Sequence, residues 1–149
     1  MAFDANLVLC DGSAGWTYAN LVTSNYGTPT STTRNSGGFA VIDLLNEGPF
    51  GGLAIVLTLT EAGNAADDAL TVIVEESDVE AFSSDVHELG KFDIAAATKG
   101  IILGNEAPAT VILRVTPTRR YLRIDASCNA DDDFGTVYCN ISPHPINDL

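Results

Sequence analysis

Basic residues are scarce in this sequence. Seven Lys and Arg stand against 20 Asp and Glu, which gives a net charge of −13. The phosphates of nucleic acids repel a chain this acidic, so sequence-independent binding to DNA or RNA is excluded as its main activity. We therefore expect no nucleic-acid partner.

The groups that usually carry catalysis are also few. The chain has two histidines, His87 and His144, whereas a metal enzyme of the cupin type gathers several imidazoles inside its barrel. The segment "DGSAG" (11–15) lacks the first glycine of a nucleophile elbow, and the chain has no phosphate-binding glycine motif and no C-x-x-C pair. The sequence therefore predicts a protein that is not an enzyme and that holds no metal and no cofactor.

Cysteines and long apolar runs are limited as well. The cysteines number three, which does not suit a framework of disulfides, and the N-terminal segment does not have the form of a secretory signal. No apolar run approaches the roughly 18 residues that cross a bilayer. We expect reduced, buried thiols, synthesis in a cytoplasm and no membrane partner.

What the sequence does contain is a series of short alternating segments rich in β-branched residues. In "LAIVLTLT" (53–60), leucine and isoleucine alternate with alanine, valine and threonine, which is the period of a half-buried strand. Turn residues separate such segments, beginning with Asp11-Gly12, as is typical of a sandwich or barrel. The predicted strands cover 6–10, 39–45, 53–60, 69–76, 86–94, 99–104, 109–116, 120–128 and 134–142.

Three segments break this pattern. Ser77 and Glu80 fit a capping box, which predicts one short helical turn between strands. Residues 17–38, rich in Ser, Thr, Asn and Gly, predict a long N-terminal loop or arm, and the proline-broken residues 142–149 predict a C-terminal tail. Residues 1–149 would form a single domain, with extensions that are either ordinary loops or arms ordered by a partner.

Clustered carboxylates offer the oxygen ligands that Ca²⁺ takes. Asp131, Asp132 and Asp133 form one cluster, and Asp67 and Asp68 form another. Both also have the composition of a turn between strands, where Asn and Asp tolerate unusual backbone angles. We favour the turn in both places.

The positions of two cysteines follow from the alternation. Counting in steps of two from Leu122 places Cys128 on the apolar face of its strand, and counting back from Ile141 does the same for Cys139. We expect both thiols in the core, on neighbouring strands, where a buried cysteine acts as a small hydrophobic residue.

Four of the basic residues crowd together at Arg114, Arg119, Arg120 and Arg123. Alternation places Arg114 and Arg123 on strand faces opposite the core, so we expect both guanidiniums on the same outer sheet surface. They would pair with acids of a neighbouring copy or of a partner, because a guanidinium can hold a carboxylate with two bonds. The alternative is solvated charges on an exposed strand.

Aromatic residues of the polar segment and its border give a second group of candidates. Trp16, Tyr18 and Tyr26 could form a platform on which a sugar stacks. Single aromatics in a loop more often anchor that loop against the domain or against a neighbour. We take these three residues, together with the four arginines, as the candidate interface.

Several segments resemble the jelly-roll capsid cement (decoration) proteins of tailed bacteriophages. They are "FDANLVLCDG" at the start, "ALTVIVEESDVEAF" in the middle and "TRRYLRIDASCN" with "FGTVYCNI" near the end. Members of that family typically open with an Asp-Ala-x-Leu strand and have an Arg-Tyr-Leu-Arg strand near the C-terminus. Between these, a strand ends in a Ser-Asp turn with a Phe soon after, and the resemblance runs the length of the chain.

The resemblance implies an antiparallel jelly-roll β-sandwich of about eight strands. It also implies a homodimer or homotrimer without enzymatic activity, located on the outer surface of the virion capsid. There the protein would bind between subunits of the major capsid protein and stabilise the assembled shell. A β-sandwich module that binds carbohydrate or a host surface is the alternative function.

Overall fold

Most of the described residues belong to β-strands. The computed structural model describes residues 7–17, 25–26, 40–45, 52–60, 69–95, 109–128 and 133–142. Their strands are β1 (Val8–Thr17), β2 (Asn25–Tyr26), β3 (Ile42–Asp43), β4 (Leu53–Leu59), β5 (Ala69–Ser77), β6 (His87–Ala95), β7 (Ala109–Val115), β8 (Tyr121–Cys128) and β9 (Asp133–Ser142). The prediction of an all-β fold is confirmed.

The strands form two antiparallel sheets. One is four-stranded with the order β1-β9-β4-β7, and the other is five-stranded with the order β2-β8-β5-β6, in which β3 also pairs with β8. Because β5 occupies one edge of β8, the two-residue strands β2 and β3 share its other edge and act as two pieces of one edge strand. The first strand lies beside the last, and each sheet combines early and late strands, which is the order of a jelly roll.

The core lies between the two sheets and takes alternate residues from each. The inward faces predicted for β4, β5, β8 and β9 are confirmed, because their alternating apolar side chains are almost fully buried. Burying one such side chain contributes roughly 1.5–3 kcal/mol to folding. The buried apolar residues of these strands include Ile55, Leu57, Leu59, Leu70, Val72, Val74, Leu122, Ile124, Ala126, Val137, Cys139 and Ile141.

Strand β1 continues through the turn predicted at Asp11-Gly12, so that prediction is wrong. The strand runs along β9 as far as Thr17. Its register shifts between Asp11, which lies opposite Tyr138, and Gly15, which lies opposite Thr136. Five residues of β1 therefore face three of β9, and the small, turn-forming residues are used for a bulged stretch of strand.

The helical turn predicted at Ser77 is also wrong, since no α-helix occurs among the described residues. Ser77 ends β5, and its Oγ accepts a hydrogen bond from the N–H of Val79 (2.9 Å) and donates one to the carbonyl of Ser84 (3.1 Å). The hydroxyl thus bonds two residues ahead and not three, which favours a turn over a helix start. We call residues 78–86, which join β5 to β6, the β5–β6 turn.

Other predictions lie wholly or partly outside the described residues. Within the arm predicted at 17–38, Thr17 ends β1 and Asn25–Tyr26 form β2, so these parts are strand. Asp133, predicted in a turn, begins β9. Outside the description lie the predicted strand at 99–104, the rest of the arm, the tail after Ser142, Asp67-Asp68 and Asp131-Asp132.

Shortening a core side chain should destabilise the sandwich, whereas the same change on an outer face should not. Leu57→Ala removes a fully buried side chain from β4, and the free energy of unfolding is expected to fall by about 2–5 kcal/mol. Ile112→Ala on β7, at a side chain that is 60% exposed, is the matched control and should cost less than about 1 kcal/mol. Urea denaturation measures both, and equal losses would contradict the assignment of the two faces.

Candidate protein-contact surface

A buried carboxylate organises the chain just before β8. Glu76, at the end of β5, is 5% exposed. It accepts hydrogen bonds from the backbone N–H of Thr118 (2.7 Å), the hydroxyl of Thr118 (2.9 Å) and the backbone N–H of Arg119 (3.1 Å). Burying a carboxylate is costly unless its oxygens are hydrogen-bonded, and these donors meet that need. They also fix the backbone from which Arg119 and Arg120 project.

Arg119 holds the two ends of the β5–β6 turn together. Its Nη1 donates to Asp78 (2.7 Å), at the start of the turn, and also to Asp85, near its end. Asp85 in turn lies 3.1 Å from Nε2 of His87, the first residue of β6. The guanidinium therefore closes the turn, and its charge is balanced within the chain.

Arg120 connects β3 to the start of β8. Its Nε and Nη2 donate to the two carboxylate oxygens of Asp43, over 2.9 Å and 2.8 Å. The N–H of Leu45 donates to the same carboxylate (2.8 Å), and the N–H of Leu44 donates to the carbonyl of Arg120 (2.9 Å). The hydrogen bond from Arg120 lowers the pKa of the Asp43 carboxyl below its ordinary value, and this outweighs the opposing effect of burial.

Arg123 is enclosed within the chain, although it lies on the outward face of β8. It is 8% exposed, its Nε donates to Glu75 of the paired strand β5 (2.6 Å), and its guanidinium carbon lies 4.3 Å from the ring centroid of Phe82. Phe82 belongs to the β5–β6 turn and has a φ of 50°, a strained conformation for a bulky residue. The turn thus folds over Arg123 and covers it.

The expectation that Arg114 and Arg123 share an outer sheet surface is wrong. Arg114 lies on β7 of the four-stranded sheet, whereas Arg123 lies on β8 of the other sheet. Both residues lie on the side of their strand that is directed away from the core. Because the two strands belong to different sheets, these sides are opposite faces of the sandwich. That the four arginines contact a partner stays a prediction, and for Arg119, Arg120 and Arg123 the structure adds a role within the chain.

The outward face of the four-stranded sheet carries exposed apolar side chains. Ile112 is 60% exposed and Tyr138 is 45% exposed. Ile112 pairs across strands with Val56, and the next row joins Tyr138 to Thr58. Directly opposite side chains are close enough to touch, so these residues form one continuous surface. We call this surface the outer patch and define it as Val56, Thr58, Thr110, Ile112, Arg114 and Tyr138.

Arg114 gives the outer patch its charge. It is exposed and lies opposite Ala54 of β4. Of the five Lys and Arg side chains that the structure describes, four pair with a carboxylate of the chain, and no described residue pairs with Arg114. None of the described side chains of the four-stranded sheet is acidic, although the chain has 20 acidic residues. The patch therefore combines three apolar or aromatic side chains and two threonines with one cation at its edge.

The aromatic candidates are separated by the sheet topology. Trp16 lies in β1 of the four-stranded sheet, and Tyr26 lies in β2 of the other sheet. The side chains of both, and the whole of Tyr18, are outside the described part of the chain. Their participation in an interface or a sugar site stays a prediction.

The cysteine prediction is confirmed in part. Cys139 is fully buried, but β8 and β9 belong to different sheets, so the expectation that Cys128 and Cys139 lie on neighbouring strands is wrong. The side chain of Cys128 is not among those described. Opposite Cys139 in the register lies Cys10 of β1, also buried, and the two remain thiols. Burial, and secondarily the proximity of Cys10, raises the pKa of the Cys139 thiol well above its usual range.

The pairing of Arg120 with Asp43 should make stability depend on acid. Because the Asp43 pKa is lowered by folding, the pair stabilises the protein at neutral pH, and this contribution is lost as the pH falls through the folded-state pKa, below about pH 4. Asp43→Asn is expected to reduce the free energy of unfolding at neutral pH by about 1 kcal/mol or less.

Urea denaturation of wild type and Asp43→Asn, between about pH 7 and pH 3, tests this dependence. The difference between the two proteins should shrink toward acid. Asp93→Asn, which removes an exposed pair with Lys91 (2.9 Å), is the control for simple loss of a surface charge. A difference between wild type and Asp43→Asn that stays constant over the whole range would refute the assignment.

Cys10 and Cys139 should resist alkylation in the folded protein. Iodoacetamide reacts with the thiolate form of cysteine. Because the pKa of the Cys139 thiol is raised, little of that thiol is in the thiolate form at neutral pH. Iodoacetamide followed by peptide mass spectrometry should leave both residues unmodified in native buffer and label both in urea. Native labelling as fast as that of a cysteine peptide would show that the two side chains are not buried as described.

The described ranges contain no cluster of three or more His, Cys, Asp and Glu side chains suited to a metal ion. Nor does any helix within them have the length and hydrophobicity that crossing a membrane requires. The chain matches no protein-family model, and no curated protein matches it significantly.

Proposed function

We propose that this protein is a capsid cement protein of a tailed bacteriophage, without enzymatic activity. It binds the outer surface of an assembled phage head, between subunits of the major capsid protein, and stabilises the shell. The observation that carries this proposal is the outer patch, an outward sheet face of a jelly roll on which Ile112 and Tyr138 are exposed. The resemblance of the strand segments to cement proteins supports the same function.

A clamp across several shell subunits benefits from a rigid body, because association costs less when little has to be ordered on binding. The chain has the contacts for this. Arg119 closes the β5–β6 turn, Arg120 ties β3 to β8, and Arg123 anchors the turn at Phe82. The scaffold behind the outer patch is therefore held by charge pairs as well as by its core.

The stabilising effect follows from mass action. A ligand that binds the assembled shell and not the separated subunits shifts the equilibrium toward assembly. A homodimer or homotrimer would place two or three equivalent patches on the shell, which raises the overall affinity without any new kind of contact. The net charge of −13 suits the outside of a head better than its DNA-filled interior.

Shells without this protein should be less stable than decorated shells. Heads from a phage with the gene deleted are heated and followed by light scattering and electron microscopy. They are expected to disrupt at a lower temperature than wild-type heads, and purified protein added before heating should restore the wild-type temperature. If deleted and wild-type heads disrupt together, or if the purified protein does not bind the deleted heads, the cementing function is refuted.

A further inference from the structure

The two outward faces of the sandwich differ in how their charges are satisfied. On the five-stranded sheet, Lys91 pairs with Asp93 (2.9 Å) and Arg123 pairs with Glu75 (2.6 Å), so each described cation there has an anion of the same chain. On the four-stranded sheet, Arg114 faces a surface whose described side chains include no acid. Among the described cations of the two outward faces, only Arg114 has no described anion of the same chain.

The outer patch also has a definite layout. Arg114 lies opposite Ala54, and Tyr138 lies opposite Thr58, so they mark two corners of the patch with β4 between them. Standard strand and residue spacings place these corners roughly 17 Å apart. Ile112 and Val56 lie between them, in a single cross-strand row. A cation therefore lies at one corner, with apolar surface extending diagonally away from it.

We infer that the outer patch is the surface through which this protein docks on another protein, and that the partner presents an apolar surface with a carboxylate at the position of Arg114. This inference rests on the proposed function, in which that partner is the shell subunit. The patch has six residues, whereas a standard interface has roughly 20–30 residues on each side, so we take the patch as the centre of the contact. Tyrosine and arginine, here Tyr138 and Arg114, are among the residue types that such centres favour.

A second copy of this chain does not fit the patch as well as a different protein does. If two copies met through this face, two Arg114 guanidiniums would enter the same interface. Each copy also carries a net charge of −13, and like charges oppose self-association. These two repulsions favour a different protein as the source of the carboxylate that complements Arg114.

The test uses heads that lack the protein and measures binding by co-sedimentation. Arg114→Glu reverses the charge of the patch, and Ile112→Asp places a carboxylate among its apolar residues. The matched controls are Lys91→Glu, a cation of the other sheet, and Val86→Asp, an exposed apolar residue of the β5–β6 turn. Circular dichroism and thermal melting verify that every variant is folded.

Both patch variants are expected to bind heads at least about tenfold more weakly than wild type, whereas both controls bind like wild type. Binding by Arg114→Ala should also depend less on salt than wild-type binding does, because the screened charge pair is gone. If wild type binds heads and the patch variants bind equally well, the inference is refuted while the proposed function stands.

Two further outcomes are decisive. If wild type does not bind heads at all, the proposed function is refuted. If instead the patch variants lower the oligomeric mass of the protein in solution, measured by light scattering, the patch joins copies of this chain, and the inference of a different partner is refuted.

Discussion

The buried carboxylate of Glu76 is the contact on which one whole end of the sandwich depends. A carboxylate at that depth requires donors, and the chain supplies them from the backbone and hydroxyl of Thr118 and from the backbone of Arg119. These hydrogen bonds fix the backbone at Thr118 and Arg119, and with it the direction in which the side chains of Arg119 and Arg120 project. Their guanidiniums then close the β5–β6 turn and hold β3 against β8. A single buried charge thus sets the positions of three connected elements.

The same arrangement explains where positive charge is left over. An acidic chain with seven basic residues can balance every one of them internally, and around β5 and β8 it does so for each described cation. The four-stranded sheet is different, because its described side chains are apolar or neutral apart from Arg114. This difference in charge between the two sheets is the basis on which we propose the outer patch as a contact surface.

The strands and their buried faces could be predicted from the sequence, because a period of two reports directly on which side chains point inward. This worked for β4, β5, β8 and β9. It failed at β1, because the small and polar residues from Asp11 to Gly15 suit a bulge as well as a turn. Alternation also indicates which face of a strand a residue lies on, but not which sheet the strand belongs to. It therefore places Arg114 with Arg123 on one surface, and Cys128 with Cys139 on neighbouring strands, although each pair is divided between the two sheets.

The acidic residues that pair with the arginines, or that fix the backbone beside them, could not be predicted from the sequence. Glu75 and Glu76 lie far from β8 in sequence, and only the antiparallel register between β5 and β8 brings them to Arg123 and to the segment before it. Cys10 escapes prediction as the neighbour of Cys139 for the same reason, since it is the register between β1 and β9 that pairs them. Long-range pairing of this kind leaves no local pattern in the sequence.

The pairing of the first strand with the last has a practical consequence for engineering. Val8, at the start of β1, lies opposite Asn140, so the chain enters and leaves the sandwich at the same end of one sheet. Ser142, at the end of β9, shares a cross-strand row with Ala54 and Arg114, which places it roughly 10 Å from the arginine. An affinity tag or displayed peptide fused after β9 would emerge beside the outer patch, whereas an insertion in the β5–β6 turn would emerge from the other sheet.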